Sequence, residues 1–419
     1  MRYVIIGGSA AAVGCIEGIR AYDHDSPITL VSREPYPFYG RPLISYLLEG
    51  KTTREKLLAY RPADYEAGRG VTALRGVTAL SIDSVNKTVS LDSGETLSYD
   101  KLLIATGSAP FVPPMDGLDA VTDKTAFTTL NDADRLAAML GENRDKRVLI
   151  VGAGLIGLKC AEGIAQRAAS IDVIDLAPRI LPTVLPEEPA AIVQRHIEKQ
   201  GIRFHLGVTA KSFEATLGET AYVAHLQNGE DVPFDVLVLA VGVRAETGLA
   251  KTAGCAVDRG VVVDETCATS VQDIYAAGDC TVSVDPDTGK LRPLAIWPNA
   301  YMQGDTAGRN MALAHTVFDK GVPMNATGFM GLHLISAGRY DGEPLLTHTK
   351  DVYKLLYVQD DRLVGFIILG EIDRAGIYTS LVRERTPLST IDFELIRETP
   401  QLMAFSATER AKKLGGVTL

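Results

Sequence analysis

The chain has 419 residues, enough for roughly three domains of ordinary size. Hydrophobic residues make up 46% and charged residues 22%, the balance of a folded globular protein and not of a disordered one. A net charge of −10 argues against wholesale nucleic-acid binding, and no apolar run approaches the roughly 18 residues of a membrane helix.

Cysteine usage narrows the field further. Cys15, Cys160, Cys255, Cys267 and Cys280 form no C-x-x-C pair. That argues against a zinc or iron–sulfur site of ordinary spacing and against a disulfide-framed secreted scaffold. A reducing cytoplasm is expected. Ala12-Val13-Gly14-Cys15 imitates a lipoprotein cleavage site, but it lies in a glycine turn and an amphipathic stretch that cleavage would destroy.

In chain order, Arg2–Ile6 reads as a strand, followed by Gly7-Gly8-Ser9-Ala10-Ala11-Ala12, a helix to about Ala21 and a second strand, Ile28–Ser32. This is the layout of a dinucleotide turn with Ser9 in place of the second glycine and Ala12 in place of the third. Ala12 is an accepted variant, and the small side chain of Ser9 still permits close approach or can itself bond a phosphate. Glu34 is the candidate acid for the first ribose, with Ser32 at the nearer position.

Residues 114–130 carry the Pro and Gly punctuation of a crossing, and a helix is expected over Asn131–Gly141. Arg147–Asp175 then repeats the strand–turn–helix–strand layout without degradation. A strand at Val148–Val151 leads into Gly152, Gly154 and Gly157, a helix runs to about Arg167, and a strand ends at Asp175. Gly152 allows the tight turn, Gly154 lets the backbone approach a pyrophosphate, and Gly157 lets helix and strand pack closely. The helix N-terminus offers unpaired N–H groups to the phosphates. Asp175 can accept from both ribose hydroxyls and would repel a 2′-phosphate, favouring NAD(H) over NADP(H). Two such halves in one chain suggest a flavin and a nicotinamide held face to face.

Later elements are a helix near Pro189–Gln200, strands through Gln227, an apolar strand at Asp235–Val241 and a return through Arg244–Gly254. Residues 316–419 read as a small α/β domain, with strands at Lys354–Val358 and Leu363–Leu369 around the turn 359–362. The tail from Ala407 is polar and helix-prone. His333 and His348 read as core or surface residues, and there is no metal set.

With both glycine motifs in view, the chain resembles the two-dinucleotide flavoproteins of the pyridine nucleotide–disulfide oxidoreductase fold over about residues 1–315. Within that family it is similar to rubredoxin and ferredoxin reductases and the flavoprotein part of NADH-dependent nitrite reductase. Besides the turns, the resemblance rests on Tyr99-Asp100-Lys101-Leu102-Leu103-Ile104-Ala105-Thr106-Gly107, on TSVQDIYAAGD ending in Gly278-Asp279, and on Ile296-Trp297-Pro298-Asn299-Ala300. It implies an α/β fold with two Rossmann-like domains. An FAD domain (1–113 and 243–315) is interrupted by an NAD domain (114–242), and a C-terminal domain (316–419) covers the flavin and often forms a dimer interface. It implies that Thr106 and Gly107 return the chain beside the flavin and that Asp279 holds the ribityl hydroxyls. Trp297 either covers a cofactor ring or packs in the core.

The segment Pro37–Tyr46 decides the chemistry. Coenzyme A disulfide reductases and related oxidases carry a cysteine where this chain has Tyr39, and a phenol forms neither thiolate nor mixed disulfide. What remains, Arg41-Pro42-Leu43-Ile44-Ser45, is similar to the R-P-x-L-S segment of reductases serving iron–sulfur or rubredoxin partners, and it implies that Arg41 helps hold the flavin nucleotide. The lysine usual at the next position is Tyr46 here, and the usual glutamate after the third NAD glycine is Lys159. Either the positive charge has moved to Lys159, where it can stabilise reduced flavin, or Lys159 is a solvated helix lysine.

The expected function is an FAD-dependent NAD(H):acceptor oxidoreductase transferring hydride between NADH C4 and flavin N5, with a ferredoxin or rubredoxin as partner and no redox cysteine. Alternatives are an NADH oxidase and an electron-transfer subunit of a larger complex. Arg374, Arg383 and Arg385 are candidates for a basic patch toward an acidic partner.

Overall fold

The computed structural model describes residues 1–218, 220–284 and 289–414. Short runs rich in Val, Ile and Leu, fully buried in the central strands and less so toward the edges, supply most of two five-stranded sheets. Their strands are β1 Tyr3–Ile6, β2 Ile28–Ser32, β3 Val71–Arg75, β4 Lys101–Ile104, β5 Lys124–Thr125, β6 Arg147–Val151, β7 Ser170–Asp175, β8 Ile202–Leu206, β9 Val236–Leu239 and β10 Ile274–Ala276. The first sheet has the order β10-β4-β1-β2-β3 and the second β8-β7-β6-β9-β5, all neighbours parallel. Burial on both faces is what a parallel sheet between helices requires. In each sheet the first strand of the dinucleotide motif is central. Tyr3–Ile6 pairs with Ile28–Val31 on one side and Lys101–Ile104 on the other. Val148–Val151 likewise lies between Ile171–Ile174 and Val236–Leu239.

Four helices matter for the site: α1 Ala10–Arg20, α2 Ile44–Glu49, α3 Leu155–Ile164 and α4 Trp297–Met311. The third ends earlier than its sequence pattern suggests, because Arg167 and Ala168 turn back to bond the Ile164 carbonyl. Helices α1 and α4 pack backbone to backbone through glycines. A Cβ on Gly14 would lie 2.2 Å from the Tyr301 carbonyl oxygen, and one on Gly304 only 2.0 Å from that of Ala11. At the far end of this seam Cys15 Sγ meets Met311 Sδ at 3.7 Å. The chain leaves the first sheet through Ser108–Pro110 and returns through Val243–Ala245, and these two segments pair antiparallel.

By internal contacts the chain divides into two compact units, Met1–Thr183 with Ile197–Asp319, and Val184–His196 with Lys320–Leu419. The second holds an antiparallel sheet in the order Met324–Phe329, Leu332–Gly338, Arg362–Gly370, Val352–Gln359, Glu343–His348. Its central hairpin turns at Asp360 and Asp361, both at positive φ (49° and 59°), as a two-residue hairpin turn demands. Phe366, Tyr378, Leu381 and Ile396 form the core between this sheet and the helices Gly376–Glu384 and Phe393–Glu398. His348 packs edge-on against Tyr353. Arg374 precedes the helix Gly376–Glu384, Arg383 lies in its last turn and Arg385 caps its C-terminus. Among the described residues, no helix is long and apolar enough to cross a membrane, and no group of His, Cys, Asp and Glu could hold a metal. Residues 415–419 of the polar tail lie outside the described residues.

Candidate functional site

The first turn leaves β1 at Gly7, whose φ of 122° and whose Cβ position, 2.0 Å from the Ala105 oxygen, admit only glycine. A Cβ on Gly8 would fall 2.6 Å from Ser32 Oγ, at the end of β2. Ser9 is the N-cap of α1, yet its hydroxyl caps nothing and the first turn holds no acid, leaving the helix terminus open to an anion. Ala11 and Ala12 are buried behind it. Glu34 lies in a cluster of its own: its carboxylate pairs with Arg41 at 2.5 Å and accepts the Tyr39 hydroxyl at 2.6 Å. Tyr39 is buried, and its oxygen also accepts the Leu130 N–H at 3.1 Å. Burial raises the Tyr39 phenol above its ordinary range. Arg41 and Pro42 open a single 3₁₀ turn leading into α2.

Asp279 borders the same turn. Gly278, at φ 84°, would place a Cβ 3.3 Å from that of Ala11, and its N–H bonds Gln303 Oε1 at 2.8 Å. The Asp279 carboxylate accepts a long 3.4 Å bond from Ser108. Burial raises its pKa, with the Ser108 bond and the Arg41 charge pulling the other way. A desolvated carboxylate so lightly compensated suits a hydroxyl-rich ligand. Thr106 bonds the Glu246 carbonyl at 2.7 Å, and Gly107, at φ 69°, faces open space. These residues fit the ribityl and pyrophosphate parts of a flavin dinucleotide.

In the second turn a Cβ on Gly152 would meet the Ala240 oxygen at 2.2 Å, and one on Gly157 the Gly152 oxygen at 1.9 Å. Gly154, the N-cap of α3, has nothing within 4 Å of its Cβ position, and the first helical turn holds no acid. One face of this turn is therefore packed shut and the other open, which fits a pyrophosphate. Asp175 ties down the turn: its two oxygens accept the N–H groups of Ala153 and Ala177, each at 2.7 Å.

Two departures from the family pattern meet in space. The Lys159 ammonium stands 4.9 Å from the centre of the Tyr46 ring and pairs with Glu162, one turn further along α3. Lys51 lies over the same ring at 5.6 Å and pairs with Glu49 at 2.6 Å. The Glu162 partnership was missed in the sequence, although its i,i+3 spacing from Lys159 is a readable signal. Trp297 packs elsewhere, against Tyr60 (5.2 Å between rings) and beside Gly40. All five cysteines are buried, and burial raises every thiol pKa, so none presents a ready thiolate.

Two parallel sheets, each with a glycine turn opening onto a bare helix terminus, define a nicotinamide-linked flavoprotein oxidoreductase. The chain belongs to the pyridine nucleotide-disulphide oxidoreductase family, whose model matches residues 1–304, and its cofactors are FAD and NAD(H). It is 35% identical over 318 residues to an NADH oxidase of Methanocaldococcus jannaschii, covering 74% of this chain and 70% of that one. To the ferredoxin–NAD(+) reductase component of the Burkholderia cepacia anthranilate 1,2-dioxygenase system it is 34% identical over 312 residues, covering 74% and 75%. The fold superposes on the covalent putidaredoxin reductase–putidaredoxin complex with a TM-score of 0.86 over 99% of each chain, at 23% identity.

Proposed function

We propose that this chain takes electrons from NADH on FAD and passes them to a small iron–sulfur protein or rubredoxin, in a reducing cytoplasm and without any cysteine relay. The observation that carries the reading is Tyr39, buried and bonded to Glu34 and Leu130 N–H in the position that thiol-dependent relatives give to cysteine. When bound, FAD supplies a store that accepts two electrons as hydride and can release them singly. The protein's contribution is placement and exclusion of water. Residues Gly7, Gly8, Ser9, Ala11 and Ala12 receive the flavin pyrophosphate, with Asp279 on the ribityl chain and Thr106 and Gly107 beside it. Glu34, Arg41 and Pro42 border the nucleotide. Gly152, Gly154 and Gly157 receive the NAD pyrophosphate, and Asp175 keeps a lone pair on each oxygen for the ribose. Tyr46 and Lys159 would border the reacting rings, and Trp297 packs against Tyr60 apart from them. The corresponding domains are 1–113 with 243–315 for FAD, 114–242 for NAD and 316–419 for an interface.

The test is anaerobic reduction of the purified yellow protein by NADH, followed by mixing with ferredoxin, rubredoxin or oxygen. Reoxidation faster by an iron–sulfur protein than by oxygen supports the reading. The similarity to an NADH oxidase favours oxygen as the second candidate, and faster reoxidation by oxygen would establish it. Reduction by NADH with no turnover on any acceptor would instead point to a subunit awaiting its complex.

A further inference from the structure

We infer that Tyr36, Tyr39 and Arg54 clamp the helix Leu130–Leu140 to the first nucleotide cradle and thereby set the distance over which NADH reaches the flavin. This deepens the functional reading above and rests on it for the presence of both cofactors. The chain passes between the two sheets twice, and the two crossings pair as the ribbon of Ser108–Pro110 with Val243–Ala245. Such a ribbon is a natural hinge, so a fixed gap between the cradles needs contacts away from it. The loop after β2 supplies them. It is held to the first sheet: Ser32, beside the Gly8 turn, donates to the Glu34 carbonyl at 3.2 Å, and Arg75, at the end of β3, donates to the Tyr36 carbonyl at 2.9 Å. The helix Leu130–Leu140 belongs to the other half, packing on the edge strand β5 of the second sheet and leading into β6.

Three contacts cross from the first half to this helix. The Tyr39 oxygen accepts the Leu130 N–H at 3.1 Å while its hydroxyl donates to Glu34 at 2.6 Å. The Tyr36 hydroxyl donates to Asn131 Oδ1 at 2.6 Å. Arg54 Nη1 reaches both carboxylate oxygens of Asp134, at 2.7 and 2.9 Å, with its guanidinium 5.3 Å from the centre of the Tyr36 ring. Leu130 and Asp134, four residues apart, lie on one face of the helix with Asn131 beside them, so the grip is on a single side. Arg54 and Asp134 are 40% and 44% exposed, and an ion pair so exposed adds little to folding stability. Its effect on alignment can therefore be read apart from unfolding. Hydride transfer needs reacting atoms held within ~3–3.5 Å, and a displacement of ~1 Å can slow it ~100-fold. Tyr36, Tyr39 and Arg54 are positioning residues that act through the helix.

The experiment is anaerobic stopped-flow reduction of the flavin-loaded protein by NADH, in Arg54→Gln, Asp134→Asn, their double variant and Tyr39→Phe. Each single variant should lower the limiting rate of flavin reduction by at least about fivefold and weaken the long-wavelength absorbance of stacked nicotinamide and flavin. The NADH dissociation constant should stay unchanged, as should reduction by dithionite, which bypasses the second cradle. The double variant should be no slower than the slower of its two singles, because the pair is one contact. If Tyr39→Phe unfolds or sheds its flavin, the exposed pair decides alone. A smaller effect in both members of that pair overturns the inference, as do additive losses in the double variant. Slowing matched by dithionite overturns it too, since that marks general damage at the flavin. A wild-type protein that binds no flavin, or whose flavin NADH does not reduce, defeats the functional reading itself, whereas a wild-type protein that works and variants that match it defeat only this inference.

Discussion

Replacing Asp175 by Asn separates two tasks held by one carboxylate. The first is structural: each oxygen accepts a backbone N–H at 2.7 Å, from Ala153 in the glycine turn and from Ala177 beyond the strand. Asn offers one acceptor, so one N–H loses its partner at a cost of about 1–3 kcal/mol. The second is electrostatic. A 2′-phosphate carrying a charge of about −1.5, placed ~6 Å from the carboxylate, is repelled by about 1 kcal/mol in water and about 4 kcal/mol at an effective dielectric of 20. Removing that repulsion should raise the NADPH:NADH ratio of kcat/KM by at least about fivefold. Steady-state reduction of a dye acceptor by each nucleotide measures the ratio, and thermal unfolding measures the lost bond. A ratio within twofold of wild type would show that Asp175 does not face the ribose. A ratio that rises with no loss of stability would show that its backbone bonds are dispensable.

Burial raises the Asp279 carboxyl above its unfolded value, so the folded protein binds the extra proton. This penalty is absent below the unfolded pKa and is fully felt above the folded one. Asp279→Asn should therefore raise the melting temperature of the flavin-free protein at pH 7 but not at pH 3, while the flavin dissociates more readily; unchanged flavin retention would remove Asp279 from the site. Tyr39→Phe strips a partner from both Leu130 N–H and Glu34 and should destabilise the protein by about 1–3 kcal/mol in urea unfolding; a neutral result would mean that solvent replaces the hydroxyl. With every thiol buried, a colorimetric thiol reagent should titrate none of the five cysteines in the native protein and all of them in denaturant, with NADH turnover untouched. Rapid loss of activity on alkylation would contradict a cysteine-free route.

Much of the fold was legible because parallel strands buried on both faces leave runs such as Val148–Val151, and because glycine turns leave a spaced signature. Val71–Arg75 was not legible: it is short, lies at the sheet edge and is only half apolar, so its period carries little signal. The short helix Ile44–Glu49 went unread for a similar reason, since fewer than two turns cannot display a helical period. In the site, the departures at Tyr46 and Lys159 were visible singly, but nothing in the sequence showed a cation resting on a ring face. Nor was the tie from Tyr39 to Glu34 and Leu130 visible, because Glu34 and Tyr39 share an irregular loop with no period to read and Leu130 is 91 residues further along the chain.

The glycine-lined seam between α1 and α4 also has a consequence for biosynthesis. Its members Cys15 and Met311 are 296 residues apart, so the first helix emerges from the ribosome long before the surface it docks on. At ordinary translation rates of about 5–20 residues per second, that wait is roughly 15–60 s. Throughout it, the bare glycine face of α1 has no mate within the nascent chain. A chaperone that shields short apolar helices would find its longest opening there.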